Sequence, residues 1–156
     1  ITLYKPVIII SFLTRLLSSD FLQNVTAPIL NFHPSILPAY KGMYALERQF
    51  NAGANSYGST VHFIDSGIDT GGIVIQTQKD SIPQNEEMLR QEIFRHQIIS
   101  MFYILTNVDK ISAVPVTVEL DYDIIQSEDG LTLKLPSVFA VPKRPVEICP
   151  SKWRYI

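Results

Sequence analysis

The chain has 156 residues, with 13 Lys+Arg against 15 Asp+Glu for a formal net charge of −2, and 46% of its residues are hydrophobic. That balance suits one soluble globular domain, or a domain with a short appendage. It excludes disorder and leaves no electrostatic footprint for nucleic acid or an anionic membrane.

The opening residues, Ile1 to Pro6, carry no initiator Met and no cap. They lead at once into a buried-looking strand, so a further N-terminal part is expected upstream. Val7-Ile8-Ile9-Ile10 is a β-branched run of the kind buried on both faces of a parallel sheet, and it is far too short to span a bilayer or serve as a signal sequence. Ser18-Ser19-Asp20 offers helix N-cap chemistry ahead of Phe21 and Leu22. Pro28 to His33 reads as a second strand, followed by a proline-bounded stretch, Pro34 to Pro38, that cannot be regular helix or central strand. Strand, short helix and strand make a βαβ unit. Tyr44 to Ala52 reads as helical, with Gly53 as its stop.

Ser59 to Ile64 alternates as a strand, Asp65 to Gly72 is an acidic, glycine-rich loop, and Ile73 to Gln76 is another strand. Asn85, followed by Glu86 and Glu87, starts a long helix. Phe94, Ile98, Met101 and Leu105 fall at helical spacing on it and are expected to form its buried stripe. Beyond Lys110 the texture becomes strand-rich: Val114 to Val118, Tyr122 to Ile125 and Leu131 to Leu135, with a turn near Asp129-Gly130 and an irregular tail from Pro142 to Ile156. The fold class expected is α/β, a Rossmann-like and mostly parallel sheet with flanking helices over residues 1–110, plus a short β-rich C-terminal extension over 111–156.

Open α/β sheets place ligands at the C-terminal ends of their strands. Here that rule selects Asn31 and His33, two apart on one strand and so on one face. The acidic loop with Asp65 and Asp69 follows a strand and can reach the same crevice. A carboxamide that donates to a developing oxyanion, an imidazole that moves protons near neutral pH and a carboxylate that favours the imidazolium form a set suited to acyl transfer. The plainer readings stand beside it. An isolated Asn-x-His on a strand is more often structural, Asp69 in such a loop is usually a turn former, His62 reads first as a satisfied core residue, and His96 as a surface or packing residue. The three histidines and Cys149 show no metal-ligand spacing, so no metal is expected. The single cysteine has no internal partner, which points to a cytoplasmic protein.

The segment Asn31-Phe32-His33-Pro34-Ser35-Ile36-Leu37-Pro38-Ala39-Tyr40-Lys41-Gly42 closely resembles the signature of the folate-dependent formyltransferases, and Gly58 to Gly72 resembles their second signature. Asp69 follows His33 by 36 positions, the spacing of the glycinamide ribonucleotide (GAR) transformylase branch, and Thr14-Arg15-Leu16-Leu17 resembles the segment that lines the folate slot there. The resemblance covers roughly residues 6 to 106. It implies a formyltransferase fold, with 10-formyltetrahydrofolate as formyl donor and a small-molecule primary amine as acceptor, as in purine biosynthesis. It implies a catalytic triad of Asn31, His33 and Asp69. It also implies a pterin slot formed by the backbone of Thr14, Arg15, Leu16 and Leu17 and of Ile64 to Asp69, with Asp65 and Asn31 among the contacts.

Within the superfamily, His33-Pro34-Ser35 favours transfer to an amine over hydrolysis. Lys41-Gly42-Met43-Tyr44-Ala45 and the short, weakly basic end disfavour a transfer-RNA acceptor. Two features depart from the GAR branch. No Gly-Ser-Asn phosphate loop is present, and Glu92-Ile93-Phe94-Arg95-His96 stands where the family's acceptor helix reads Q-x-x-E-H. An amino-sugar nucleotide or another amine as acceptor, and a catalytically inactive folate- or partner-binding relative, therefore remain open beside a GAR acceptor. The strand-rich end is a candidate acceptor-binding or homodimer element.

Overall fold

The structure is a computed structural model that describes residues 6–12, 15–80, 83–111, 116–119, 123–127 and 130–134. Thr14 and the tail expected to be irregular, Pro142 to Ile156, lie outside the described residues. In chain order the elements are β1 (Ile9–Ser11), α1 (Ser19–Asn24), β2 (Ile29–His33), α2 (Ala45–Asn51), β3 (Ser56–Phe63), β4 (Ile73–Asp80), α3 (Glu86–Thr106), a 3-10 turn (Val108–Lys110), β5 (Val116–Glu119), β6 (Asp123–Ser127) and β7 (Gly130–Lys134).

Local chemistry explains the helix ends. The Ser18 hydroxyl accepts from the Phe21 N–H at the start of α1, and Asn85 Oδ1 accepts from the Met88 N–H at the start of α3. Helix α2 ends in a Schellman arrangement, with Gly53 N–H donating to the Phe50 carbonyl and Ala54 N–H to the Gln49 carbonyl. Gly53 takes φ +58° there, a left-handed conformation a side chain would strain.

Strands β1 to β5 lie side by side in that order, and β6 and β7 form a separate hairpin. The β1–β2 and β4–β5 pairs are parallel, while β2–β3 and β3–β4 are antiparallel. Four strands therefore run one way and β3 alone runs back, which makes the sheet mostly parallel. Strand β5 joins this sheet by pairing with β4.

Register separates two working faces. Asn31 pairs with His62, His33 with Thr60, and Thr60 with Gln76, so these side chains share one face of the sheet. The alternating residues point the other way. Leu30, Phe32, Val61 and Ile75 join Ile99 and Ile104 of α3 in the main core, and Leu46, Tyr57, Leu89 and Ile93 form a second cluster where α2 meets α3. The polar face is left to carry loops.

The buried stripe expected on α3 is not the one observed. Phe94 and Leu105 are exposed, at 62% and 59%, and Ile98 and Met101 are only half-buried. The buried residues are Leu89, Ile93, His96, Ile99, Ser100 and Ile104. Apolar residues run round the whole helix, so spacing alone offers two faces. The sheet selects the one on which His96 finds partners: its Nδ1 donates to Thr77 Oγ1 at 2.9 Å, and its ring lies 5.3 Å from that of Tyr57. Burial pushes the His96 pKa down to about 4, so it packs as a neutral ring.

Candidate active site

The site grows from β2. Its end leads into residues 34–44, a segment tied to the sheet by Thr60. The Thr60 hydroxyl accepts from Leu37 N–H at 3.0 Å and donates to the Ser35 carbonyl at 2.7 Å. Gln76 donates both to Thr60 Oγ1 and to the Leu37 carbonyl, and Gln49 donates to the Pro34 carbonyl. Thr60 is fully buried, so these bonds are shielded from water and hold the segment firmly. Tyr40 and Tyr44 take φ values of +57° and +58° within it. The result turns the Tyr40 carbonyl back toward the His33 ring, whose Nε2 donates to it at 3.0 Å.

The second wall is the loop after β3. Phe63 N–H donates to the Gly72 carbonyl and closes it. At Gly71 a Cβ would sit 1.8 Å from the Phe63 carbonyl oxygen, so no other residue permits this closure. Asp65 folds the loop from inside, accepting from Gly67 N–H at 3.0 Å and from the Thr70 hydroxyl at 2.7 Å. The Thr70 hydroxyl is the main reason its carboxyl sits below the usual range. Asp69 takes φ +50°, a conformation Asp tolerates better than most residues. Its carboxylate accepts from Gly42 N–H at 2.7 Å, which joins the two walls.

Four side chains meet between them. Asp69 Oδ2 lies 3.2 Å from His33 Nδ1, and its Oδ1 lies 3.4 Å from His62 Nε2. Asn31 Nδ2 lies 3.3 Å from the same His62 Nε2. The two imidazole rings are 6.4 Å apart at 71°. Both nitrogens of His33 face oxygen acceptors, so only the imidazolium satisfies both. Burial opposes that charge more strongly than Asp69 and the Tyr40 carbonyl favour it, and the His33 pKa lies below its ordinary value. The ring is poised to hold a proton when further negative charge develops beside it and to release it otherwise.

The structure thus brings His33 and Asp69 into direct contact and links Asn31 to them through His62. From sequence alone His62 is expected to be a core residue. The signal that would have found it is the antiparallel pairing of Asn31 with His62, a tertiary fact. The slot residues are more dispersed. Arg15 and Leu16 are exposed and Leu17 is half-buried. Ile64 and Asp65 line a cavity of about 580 Å³. Leu22, Val25, Pro28, Ile29 and Phe63 are among its walls. None of Arg15, Leu16, Leu17, Asn31, His33 or Asp69 lines it. The Ile64 N–H is already bonded to the Ile29 carbonyl.

Residues 1–99 match the family model for formyl transferases. The chain belongs to the formyl transferase family. It is 35% identical over 99 residues to the phosphoribosylglycinamide formyltransferase of Haemophilus influenzae, covering 60% of this chain and 47% of that protein. It is 45% identical over 62 residues to the phosphoribosylglycinamide formyltransferase of Bacillus subtilis, covering 40% and 32%. Among solved structures, glycinamide ribonucleotide transformylase 1 from Symbiobacterium toebii superposes with a TM-score of 0.55 at 31% identity, over 68% of this chain and 52% of that one. The chain spans less than half the length of either curated relative. Among the described residues, no helix is long and apolar enough to cross a membrane.

Proposed function

We propose that this chain transfers a formyl group from 10-formyltetrahydrofolate to the primary amine of a small-molecule acceptor, with a phosphoribosyl-glycinamide as the favoured acceptor. The observation that carries the reading is the His33–Asp69 contact, linked through His62 to Asn31, on one sheet face of a formyl transferase. Similarity to proteins named for phosphoribosylglycinamide supports the acceptor.

Attack of an amine on a formyl carbon makes a tetrahedral species, anionic at oxygen and cationic at nitrogen. Asn31 Nδ2 supplies a hydrogen-bond donor for the oxygen, and a preorganised donor of this kind contributes roughly 3–4 kcal/mol of barrier lowering. His33, as imidazolium, adds positive charge beside that oxygen, and the developing negative charge raises the ring's affinity for its proton. Asp69 orients the ring through Nδ1 and leaves a carboxylate near the amine, whose proton must leave before the product forms. The ring then cycles the proton toward the departing nitrogen of the donor. The sites at Arg15 to Leu17 and at Ile64 and Asp65 are the proposed pterin contacts, and a cytoplasmic location follows from the substrates.

The test incubates the full chain with 10-formyltetrahydrofolate and GAR, an amino-sugar nucleotide or no acceptor, and reads the formylated product by mass spectrometry. Formylation of GAR is expected. Formylation of the sugar nucleotide alone would replace the acceptor assignment. Donor binding with no transfer to any amine would sink the enzymatic reading.

A further inference from the structure

The Lys41–Gly42 peptide stands between the two walls of the site, and both of its polar ends are bonded. Its N–H end, from Gly42, donates to Asp69 Oδ2 at 2.7 Å. That oxygen is the one 3.2 Å from His33 Nδ1, so the peptide pins the carboxylate edge that faces the ring. Its carbonyl end, from Lys41, accepts from Arg48 Nη2. The carbonyl and N–H of a trans peptide point opposite ways. The guanidinium and the carboxylate therefore lie on opposite sides of one rigid plane.

Something has to fix which way that plane faces. Gly42 takes φ +82°, and glycine adopts either sign of φ about as readily, so the backbone itself leaves the choice open. Turned over, the peptide would set the Lys41 carbonyl oxygen against Asp69 Oδ2, and like partial charges repel. Arg48 opposes that turn, because its hydrogen bond would be lost and its charge would meet an amide hydrogen. A cation on the carbonyl also draws electron density from the nitrogen, which makes the N–H a stronger donor. Helix α2 holds Arg48 in place: its next residue, the buried Gln49, donates to the Pro34 carbonyl at the start of the same segment. A guanidinium stays charged at any working pH, so the contact does not switch off as the site titrates.

We infer that Arg48 is a positioning residue: it holds the carbonyl end of the Lys41–Gly42 peptide so that the N–H end fixes the Asp69 oxygen facing His33. The consequence for turnover rests on the formyl-transfer reading above. The orientation of the peptide does not.

The test compares the full chain with Arg48→Met, which keeps the stem and removes the guanidinium, and Arg48→Lys, which keeps a cationic donor. Arg48 is exposed, so both variants fold. In Arg48→Met the Gly42 amide proton moves upfield in the NMR spectrum and its exchange with solvent rises about 5- to 30-fold. The His33 titration gives a sign that a bare charge effect would not. The titratable groups that act on His33 are Asp69, which raises its pKa, and His62 and Arg48, which lower it, Arg48 least. If Arg48 acted only through its own charge, its removal would raise the His33 pKa. Acting through the peptide, its removal loosens the larger Asp69 contact, and the His33 pKa falls. Steady-state kinetics show kcat lowered about 3- to 30-fold with the KM for 10-formyltetrahydrofolate within about 3-fold, and Arg48→Lys returns kcat to within about 3-fold of the parent chain. An unchanged Gly42 amide in Arg48→Met overturns the inference, as does a raised His33 pKa, or a lysine variant no faster than the methionine one. If the parent chain transfers no formyl group to any amine, the functional reading fails, while the two NMR measurements still decide the role of Arg48.

Discussion

Replacing Asp69 by Asn removes one negative charge and keeps the side chain's shape. The introduced amide oxygen can still accept from Gly42 N–H, so the two walls stay joined, and the change isolates the charge. In the parent chain Asp69 Oδ2 is 3.2 Å from His33 Nδ1, with the two side chains 13% and 5% exposed. Unit charges at that separation attract by about 5 kcal/mol at an effective dielectric constant of about 20, and opposite charges this close shift a pKa by about 1–3 units, or about 1.4–4 kcal/mol. Burial already holds the His33 pKa below its ordinary value, with Asp69 the strongest force opposing that shift. Asp69→Asn therefore lowers the His33 pKa further, by about 1–3 units. The limb of the pH–rate profile that depends on the imidazolium moves the same distance toward acid.

Stability follows with a definite sign. A histidine whose folded pKa is depressed binds fewer protons folded than unfolded between its two pKa values. Its contribution is complete above the unfolded value and is lost as pH falls toward the folded one. In Asp69→Asn that window extends to lower pH and the acid loss deepens. NMR titration of the His33 ring protons, beside denaturant midpoints across pH, measures both effects. An unchanged or raised His33 pKa in a folded Asp69→Asn would refute the reasoning and leave Asp69 as a turn former.

His33→Ala removes the ring that faces both Asp69 and the Tyr40 carbonyl, and single-turnover transfer should slow by about 10²–10⁴-fold; a near-parental rate would remove His33 from the mechanism. Thr60→Val deletes the acceptor for the buried Leu37 N–H, and urea unfolding should report about 1–3 kcal/mol of lost stability. An unchanged midpoint would mean that the proline-bounded segment is held by other contacts. His96, fully buried with a pKa of about 4, should cost about 2–3 kcal/mol of stability between pH 7 and pH 4.5, because the unfolded ring protonates and the folded one resists. His96→Gln should flatten that part of the stability profile, and an equal acid loss in the variant would place the titrating group elsewhere.

Local order was legible wherever it depends on neighbours in the chain. The caps at Ser18 and Asn85, the stop at Gly53, the β-branched run at Val7 to Ile10 and the strand ending in His33 are short-range consequences of side-chain chemistry, and each element occurs near its expected place. The face shared by Asn31 and His33 follows from strand pleating alone. The α3 stripe was not legible, because Phe94-Ile98-Met101-Leu105 and Leu89-Ile93-His96-Ser100 obey the same period. An apolar count favours the first, and only contact with Thr77 and Tyr57 on the sheet makes the second the buried one.

By itself the sequence determined which groups are available for chemistry and which segments form helix or strand, because both depend on residue type and on separations of a few positions. Only the tertiary structure decided that β3 runs against its neighbours, that His62 therefore stands opposite Asn31, and that a loop folded by Asp65 and Gly71 brings Asp69 to both imidazoles. Those distances join residues up to 36 positions apart, between His33 and Asp69. Strand pairing and loop closure set them, and neither is a property of any short stretch of chain.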